Sequence, residues 1–313
     1  MSSDHLTGGT ANVLYAATIQ DVMSYGEWVA PLLNKTSPSA SHKTIELIGL
    51  RMDLDYPRSR VIASQARPIN LGFAIGNFLY QFMGSDAVQP LHYYNPITGK
   101  FSDDGISLHG AYGPRILPQL TRVIEMLKAD PTSRRAVVTI FNGAMDHIDS
   151  KDIPCPISMQ FFIRHQQLHC LTMFRSQNIV MVYPYDIFLF TMLHEWVAAH
   201  LNMGMGMHIQ QNGSMHFYEN EMGLAQEILD KPMHGYTMPA MTQPTAGEWT
   251  AIMRYERDVR MWGEKILPQP DFPAVDPYWQ GILSLLTHFA TGKRRGEHYM
   301  RDISVLDDCF TEA

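Results

Sequence analysis

Apolar positions recur at helical spacing from about Ala16 to Leu33, whereas TIELIGLRMDLD (44–55) alternates as a half-buried strand does. NLGFAIGNFLYQFMG (70–84) reads as a buried helix ending at Gly84, and LPQLTRVIEMLKADP (117–131) as an amphipathic helix stopped by Pro131. RRAVVTIF (134–141) is rich in β-branched residues and predicts a strand. ISMQFFIR and LHCLTMFR, separated by HQQ, predict a hairpin, with Arg175-Ser176 where its second strand ends. YDIFLFTMLHEWVAAHL (185–201) is apolar nearly all round and predicts a buried helix. MGMHIQQ and SMHFYEN flank Asn212-Gly213, a dipeptide that favours a tight hairpin turn. Beyond Glu221 the pattern turns helical, in 247–267 and 278–292, with proline-rich loops between. No repeat, low-complexity tract or linker interrupts it, so the pattern predicts a single α+β domain over 1–313 with a helical C-terminal region over about 222–313.

Composition narrows the function. Hydrophobic residues make up 45% of the 313, enough for a substantial core, and the formal charge of -7 provides no basic field for a nucleic-acid backbone. The N-terminal MSSDHLTGG lacks the basic and apolar regions of a secretory signal. The apolar run 179–193 is broken by Pro184 and Asp186, which makes it a poor membrane span. A cytoplasmic protein is the simplest expectation. Cys155, Cys170 and Cys309 are too few and too scattered for a disulfide framework or a zinc cage. His194 and His200 in HEWVAAH are six apart, not the four that places two histidines on one helix face, so zinc is not expected.

Cys155 stands between Pro154 and Pro156 in DIPCPISMQF, on a stiff, extended approach to a strand. A lone cysteine is more often an inert core residue; a nucleophile needs a nearby cation or base, and the flanking sequence offers none. Ser133-Arg134-Arg135 and Arg175-Ser176 are candidate partners, because a guanidinium fork beside a hydroxyl makes a compact phosphate clamp. Taken alone, each is an ordinary surface arginine. His216 and Tyr218 fall on one face of a strand, either lining a pocket or decorating a surface.

In their order and spacing, these features resemble the thymidylate synthase and pyrimidine-nucleotide hydroxymethylase superfamily. Ser-Arg-Arg before a β-branched strand, Pro-Cys, a hairpin, Arg-Ser, Pro-Tyr-Asp-Ile opening a helix, and Gly-Ser-Met-His-Phe-Tyr-Glu-Asn carry the resemblance, over about 45–221. It implies a three-layer α+β fold, a mixed sheet packed with helices, and a homodimer joined sheet to sheet. It implies that Cys155 adds to C6 of a pyrimidine nucleoside monophosphate, that Arg175 and Ser176 hold the 5′-phosphate, and that Arg134 and Arg135 reach it across the dimer interface. His216 and Tyr218 would bind the sugar, and Tyr112 falls at an active-site tyrosine. The implied one-carbon donor is 5,10-methylenetetrahydrofolate.

Asp186 speaks to the base. Synthases acting on uridylates carry asparagine at this position; an aspartate accepts from the cytosine amino group and, when protonated, donates to N3, so Asp186 resembles the cytidylate hydroxymethylases. Its bland alternative is an N-cap for the following helix. Departures from the family pattern are Asn77 for a glutamate that manages water and proton transfer, Asn178, itself a candidate at the base, for an aspartate that usually engages the folate pterin, Val182 for a glycine, and Pro156 for a histidine. Neither His42 nor Lys43 matches the family's N-terminal phosphate arginine. The family's active-site tryptophans, which shield the exocyclic methylene in methylating synthases, are missing, since no Trp lies between Trp28 and Trp196. Cytidylate C5-hydroxymethylation, on CMP or dCMP, is therefore the leading expectation. A uridylate C5-methylase and a nucleotide-binding homologue without one-carbon chemistry are the alternatives.

Overall fold

The computed structural model describes residues 4–30, 43–264, 267–296 and 303–310. Thr10 accepts a hydrogen bond from the Val13 N–H and starts α1 (Ala11–Tyr25), which follows β1 (His5–Gly8). The chain then straightens into β2 (Glu27–Val29), so the helix lies earlier than the apolar periodicity indicated; residues 31–33 of that expectation fall outside the described residues.

The segment 44–55 is two strands, β3 (Thr44–Ile48) and β4 (Arg51–Leu54), not one. Gly49, at φ +78, makes the break, a left-handed backbone that a side chain resists. β5 (Val61–Ser64) leads to α2 (Leu71–Gln81), capped by the Asn70 side chain, and to α3 (Val88–Tyr94) and α4 (Gly113–Ala129). β6 (Val137–Thr139) is followed by β7 (Pro156–Arg164) and β8 (Gln167–Asn178). His165 and Gln166, both at positive φ, form the two-residue turn of the predicted hairpin. β8 runs on past Arg175-Ser176, so both sit within the strand and not at its end.

After α5 (Tyr183–His200) comes β9 (Gly204–Tyr218), a single strand through Asn212-Gly213 where a hairpin turn was expected. Sheet partners on both sides hold it straight: β8 runs parallel to it on one edge, and β3 and β4 pair antiparallel on the other. The glycine serves close approach instead, since a Cβ on Gly213 would lie 2.8 Å from the Arg175 carbonyl oxygen. α6 (Met222–Asp230) precedes β10 (Met233–Tyr236), a strand in the region expected to be helical, which pairs with β5 as a separate ribbon. α7 (Ala246–Gly263), α8 (Pro277–Arg295) and α9 (Ser304–Cys309) complete the described chain.

The large sheet is mixed, in the order β1-β4-β9-β8-β7-β6, with β3 also on β9 and β2 on β3. One face is buried: Met159, Phe161, Cys170 and Phe174 point into a core shared with α2, α4, α5, α7 and α8. On the opposite face Ser158, Gln160, Phe162, Leu171 and Ile209 are half-buried and Met173 is 44% exposed, an open, partly apolar surface on a protein whose other sheet face packs against helices. The C-terminal helices join the same core, with Trp279 against Trp196 and Trp249. Among the described residues no helix is long and apolar enough to cross a membrane.

Candidate active site

Cys155 immediately precedes β7, and its partner arrives from the neighbouring strand. Arg175 on β8 donates from its backbone N–H to the Cys155 carbonyl (2.9 Å), from Nε to Pro154 O (2.9 Å) and from Nη2 to Ile153 O (2.9 Å), with Nη2 3.8 Å from Sγ. Pro154 and Pro156 fix the approach and leave carbonyls facing the arginine, so the guanidinium is tied down on one side. Its Nη1 makes no hydrogen bond within the described residues. Burial pushes the Cys155 thiol up to about 11; Arg175 opposes that shift, while Asp186 and Asp152 add to it. Without nucleotide, the group is a thiol at neutral pH.

Asp186 lies in the first turn of α5 and is buried. It is not the N-cap: the helix begins at Tyr183 after Val182, and the Asp186 N–H already donates to Val182 O at 3.2 Å. Burial raises its carboxyl to about 7, against a hydrogen bond from Gln177 Nε2 at 3.0 Å that favours the charged form. Tyr112, just ahead of α4, packs on Phe190 and faces the charges of Asp186, Cys155 and Asp152; burial first, then these groups, hold its hydroxyl well above its ordinary value. Gly113 makes this possible, because a Cβ there would lie 2.6 Å from the Gln81 carbonyl oxygen on α2.

Further along β8, Ser176 Oγ is 3.4 Å from His216 Nδ1 on β9, and the His216 and Tyr218 rings meet edge to face at 5.7 Å. Burial lowers the His216 imidazole below its ordinary range, so it is neutral at pH 7. Thiol, guanidinium, hydroxyl, imidazole and buried carboxyl thus cluster at one end of β8 and β9, beside the start of α5. No group of three or more His, Cys, Asp or Glu side chains among the described residues is placed to hold a metal ion.

The sequence matches the family described as Thymidylate synthase over residues 14–258, more than three quarters of the chain. The chain belongs to the thymidylate synthase family. The match reaches beyond both ends of the span 45–221 that carried the motifs. The mixed sheet with its helical covering is the α+β fold expected of a thymidylate synthase-like protein. Two relatives are deoxyuridylate hydroxymethyltransferases. That of Bacillus phage SP01 is 28% identical over 235 residues, 69% of this chain and 59% of its own. That of Pseudomonas phage M6 is 26% identical over 241 residues, 72% of this chain and 68% of its own. A thymidylate synthase of Buchnera aphidicola subsp. Baizongia pistaciae is 30% identical over 128 residues, 41% of this chain and 47% of its own. The chain thus spans about three fifths of the SP01 protein's length.

Other expected site residues sit differently. Asn178 does not present its amide to the cluster: Nδ2 donates to Glu221 Oε2 (2.8 Å) and Oδ1 accepts from the Met181 N–H (2.7 Å), which fixes the turn leading into α5. Asn77 on α2 accepts from Gln81 Nε2 at 2.8 Å and has no hydrogen bond to Cys155 or Asp186. Arg134 and Arg135 are exposed ahead of β6, and neither guanidinium pairs with the Cys155 cluster of its own chain. Lys43 lies 4.0 Å from Glu219, and His42 falls outside the described residues.

Three residues escaped the sequence reading. Glu221 ties Asn178 to the Tyr218 N–H. Gln177 reaches Asp186. Arg67 is buried against the Tyr185 ring, 5.1 Å from its centroid, and donates to Met181 O, leaving Nε and Nη1 with no partner. A basic residue just before Pro68 and the Asn70 cap was the available signal for Arg67; Gln177, an amide inside a strand, offered none.

Proposed function

We propose that the protein is a cytidylate C5-hydroxymethyltransferase acting on CMP or dCMP. The observation that carries this reading is Asp186, a buried carboxyl raised to about 7, so that the neutral acid is populated at pH 7, in the same field as Cys155. Cytosine requires an acceptor for its amino group and a donor for N3, and a carboxylic acid supplies both. Uracil presents the reverse pattern.

Cys155 adds to C6 of the bound ring, forming the S–C6 bond as electron density moves to C5, which becomes a carbon nucleophile. Loss of the C5 proton later lets C6–S break and restores the aromatic ring. The nucleotide's own arrival activates the thiol: Arg175, anchored on two carbonyls, stabilises the thiolate, and its free Nη1 and the Ser176 hydroxyl suit a 5′-phosphate. His216 and Tyr218 line the sugar side. A second copy, docked on the open sheet face, adds its Arg134 and Arg135 to that phosphate. This makes the active form a homodimer.

Folate fits the chain at Arg67, whose two buried donors without partners suit a carboxylate beside the Tyr185 ring. When bound, 5,10-methylenetetrahydrofolate supplies a one-carbon unit at the oxidation level of formaldehyde. With Asn77 in the glutamate's place and no shielding tryptophan, water reaches the new substituent, which favours hydroxymethyl over methyl.

A second reading, hydroxymethylation of a uridylate, draws on the two phage relatives. Incubation of CMP, dCMP, UMP and dUMP with the folate, followed by product mass, separates the two. Hydroxymethylcytidylate is expected; a product from uridylates alone overturns the proposal.

A further inference from the structure

We infer that Gln177 is a positioning residue that fixes which oxygen of Asp186 carries the proton, through a one-way relay of buried amides running to the backbone of Leu50. Its members are Gln177 on β8 and Gln210 and Asn212 on β9, each 1% exposed or less. The relay's use in selecting cytosine rests on the reading above; its existence as a hydrogen-bonded unit does not.

The direction of the relay follows from the fixed end. Leu50 O can only accept, and Asn212 donates to it from Nδ2 at 3.2 Å. Asn212 Oδ1 therefore faces inward and accepts from Gln210 Nε2 at 2.8 Å. The second hydrogen of the same nitrogen goes to Gln177 Oε1 at 3.4 Å. Gln177 is thereby left presenting Nε2 to Asp186 Oδ2, at 3.0 Å. Flipping any one amide sets oxygen against oxygen or NH2 against NH2, so no member reverses alone. β9's straight course through Asn212, where a hairpin turn was expected, places Gln210 and Asn212 on its buried face.

Asp186 Oδ2 is thus held as an acceptor. A carbonyl oxygen accepts better than a hydroxyl, so the proton of the neutral acid resides on Oδ1, which has no hydrogen bond among the described residues. A ring edge meeting Asp186 finds a donor at Oδ1 and an acceptor at Oδ2, the pattern that N3 and the amino group of cytosine complement. The other groups facing this carboxyl are the Tyr112 hydroxyl at the head of α4 and the Cys155 thiol before β7, with Asp152 and Arg175 in the same field.

Carbon NMR of aspartate-labelled, ligand-free protein follows the Asp186 carboxyl, assigned by its loss in Asp186→Asn. Gln177→Leu is expected to raise the titration midpoint by about one pH unit, because the donor that favours the carboxylate is gone. Gln210→Leu, one step back, raises it by less in the same direction. A loosened fold moves the midpoint the other way, towards that of a hydrated carboxylate, so sign separates positioning from damage. In parallel, Gln177→Leu is expected to reduce the preference for cytidylates over uridylates about tenfold. Unchanged or lowered midpoints in both variants overturn the relay, whichever nucleotide binds. Raised midpoints in a wild-type protein that prefers uridylates uphold the relay and overturn the cytidylate reading instead.

Discussion

Cys155→Ala is expected to lower turnover by a factor on the order of 10⁴ or more while nucleotide affinity changes by less than about tenfold. The asymmetry follows from what the thiol does. On the proposed reading it contributes little to holding the phosphate or the sugar, which are assigned to Arg175, Ser176, His216 and Tyr218, yet C5 does not become nucleophilic until a bond forms at C6. Single-turnover kinetics beside equilibrium binding measure the split. Equal losses in both would make Cys155 a packing residue, as Cys170 is, fully buried in the core.

The second large effect belongs to Arg175. Arg175→Leu removes two hydrogen bonds to the segment carrying the thiol, those to Pro154 O and Ile153 O, as well as the cation beside Sγ. A loss in kcat/KM on the order of 10²- to 10³-fold is expected, with KM rising through the phosphate and kcat falling through the thiolate. The sign at the thiol can be read directly. Its midpoint of about 11 already reflects burial opposed by Arg175, so removing the cation moves it higher and slows alkylation at any fixed pH. Iodoacetamide labelling against pH, with Cys155→Ala as background, tests this. Arg175→Lys is expected to recover part of the alkylation rate and little of the KM, since an ammonium restores charge but not the fork that bridges Ile153 and Pro154. Alkylation that speeds up in Arg175→Leu would remove Arg175 from any role in activating the thiol.

Residue chemistry and order picked out candidates that the structure brings together, whereas local periodicity misplaced several elements around them. Cys155, Arg175, Ser176, Asp186, His216 and Tyr218 were recognisable because chemistry and order restricted them jointly, and all six lie at one end of β8 and β9. Asn212-Gly213 misled because a turn propensity is local, whereas β9 is held straight by pairing on both edges. Gly49 terminates a strand by its left-handed backbone, which an alternating pattern does not reveal. Asn178, expected at the base, engages Glu221 and the Met181 N–H instead, a competition visible only in three dimensions. Arg67 and Gln177 stand out through burial and the direction of their hydrogen bonds, and neither property is written in residue type or spacing.

The central claim is that Cys155 attacks C6 of a cytosine ring selected by Asp186. Release of tritium from C5-labelled nucleotides tests it most directly, because addition at C6 labilises that hydrogen even before any one-carbon transfer is complete. Release from CMP or dCMP that exceeds release from UMP and dUMP, and that vanishes in Cys155→Ala, is the predicted result. Release that survives in Cys155→Ala, or that occurs with uridylates alone, would contradict the account.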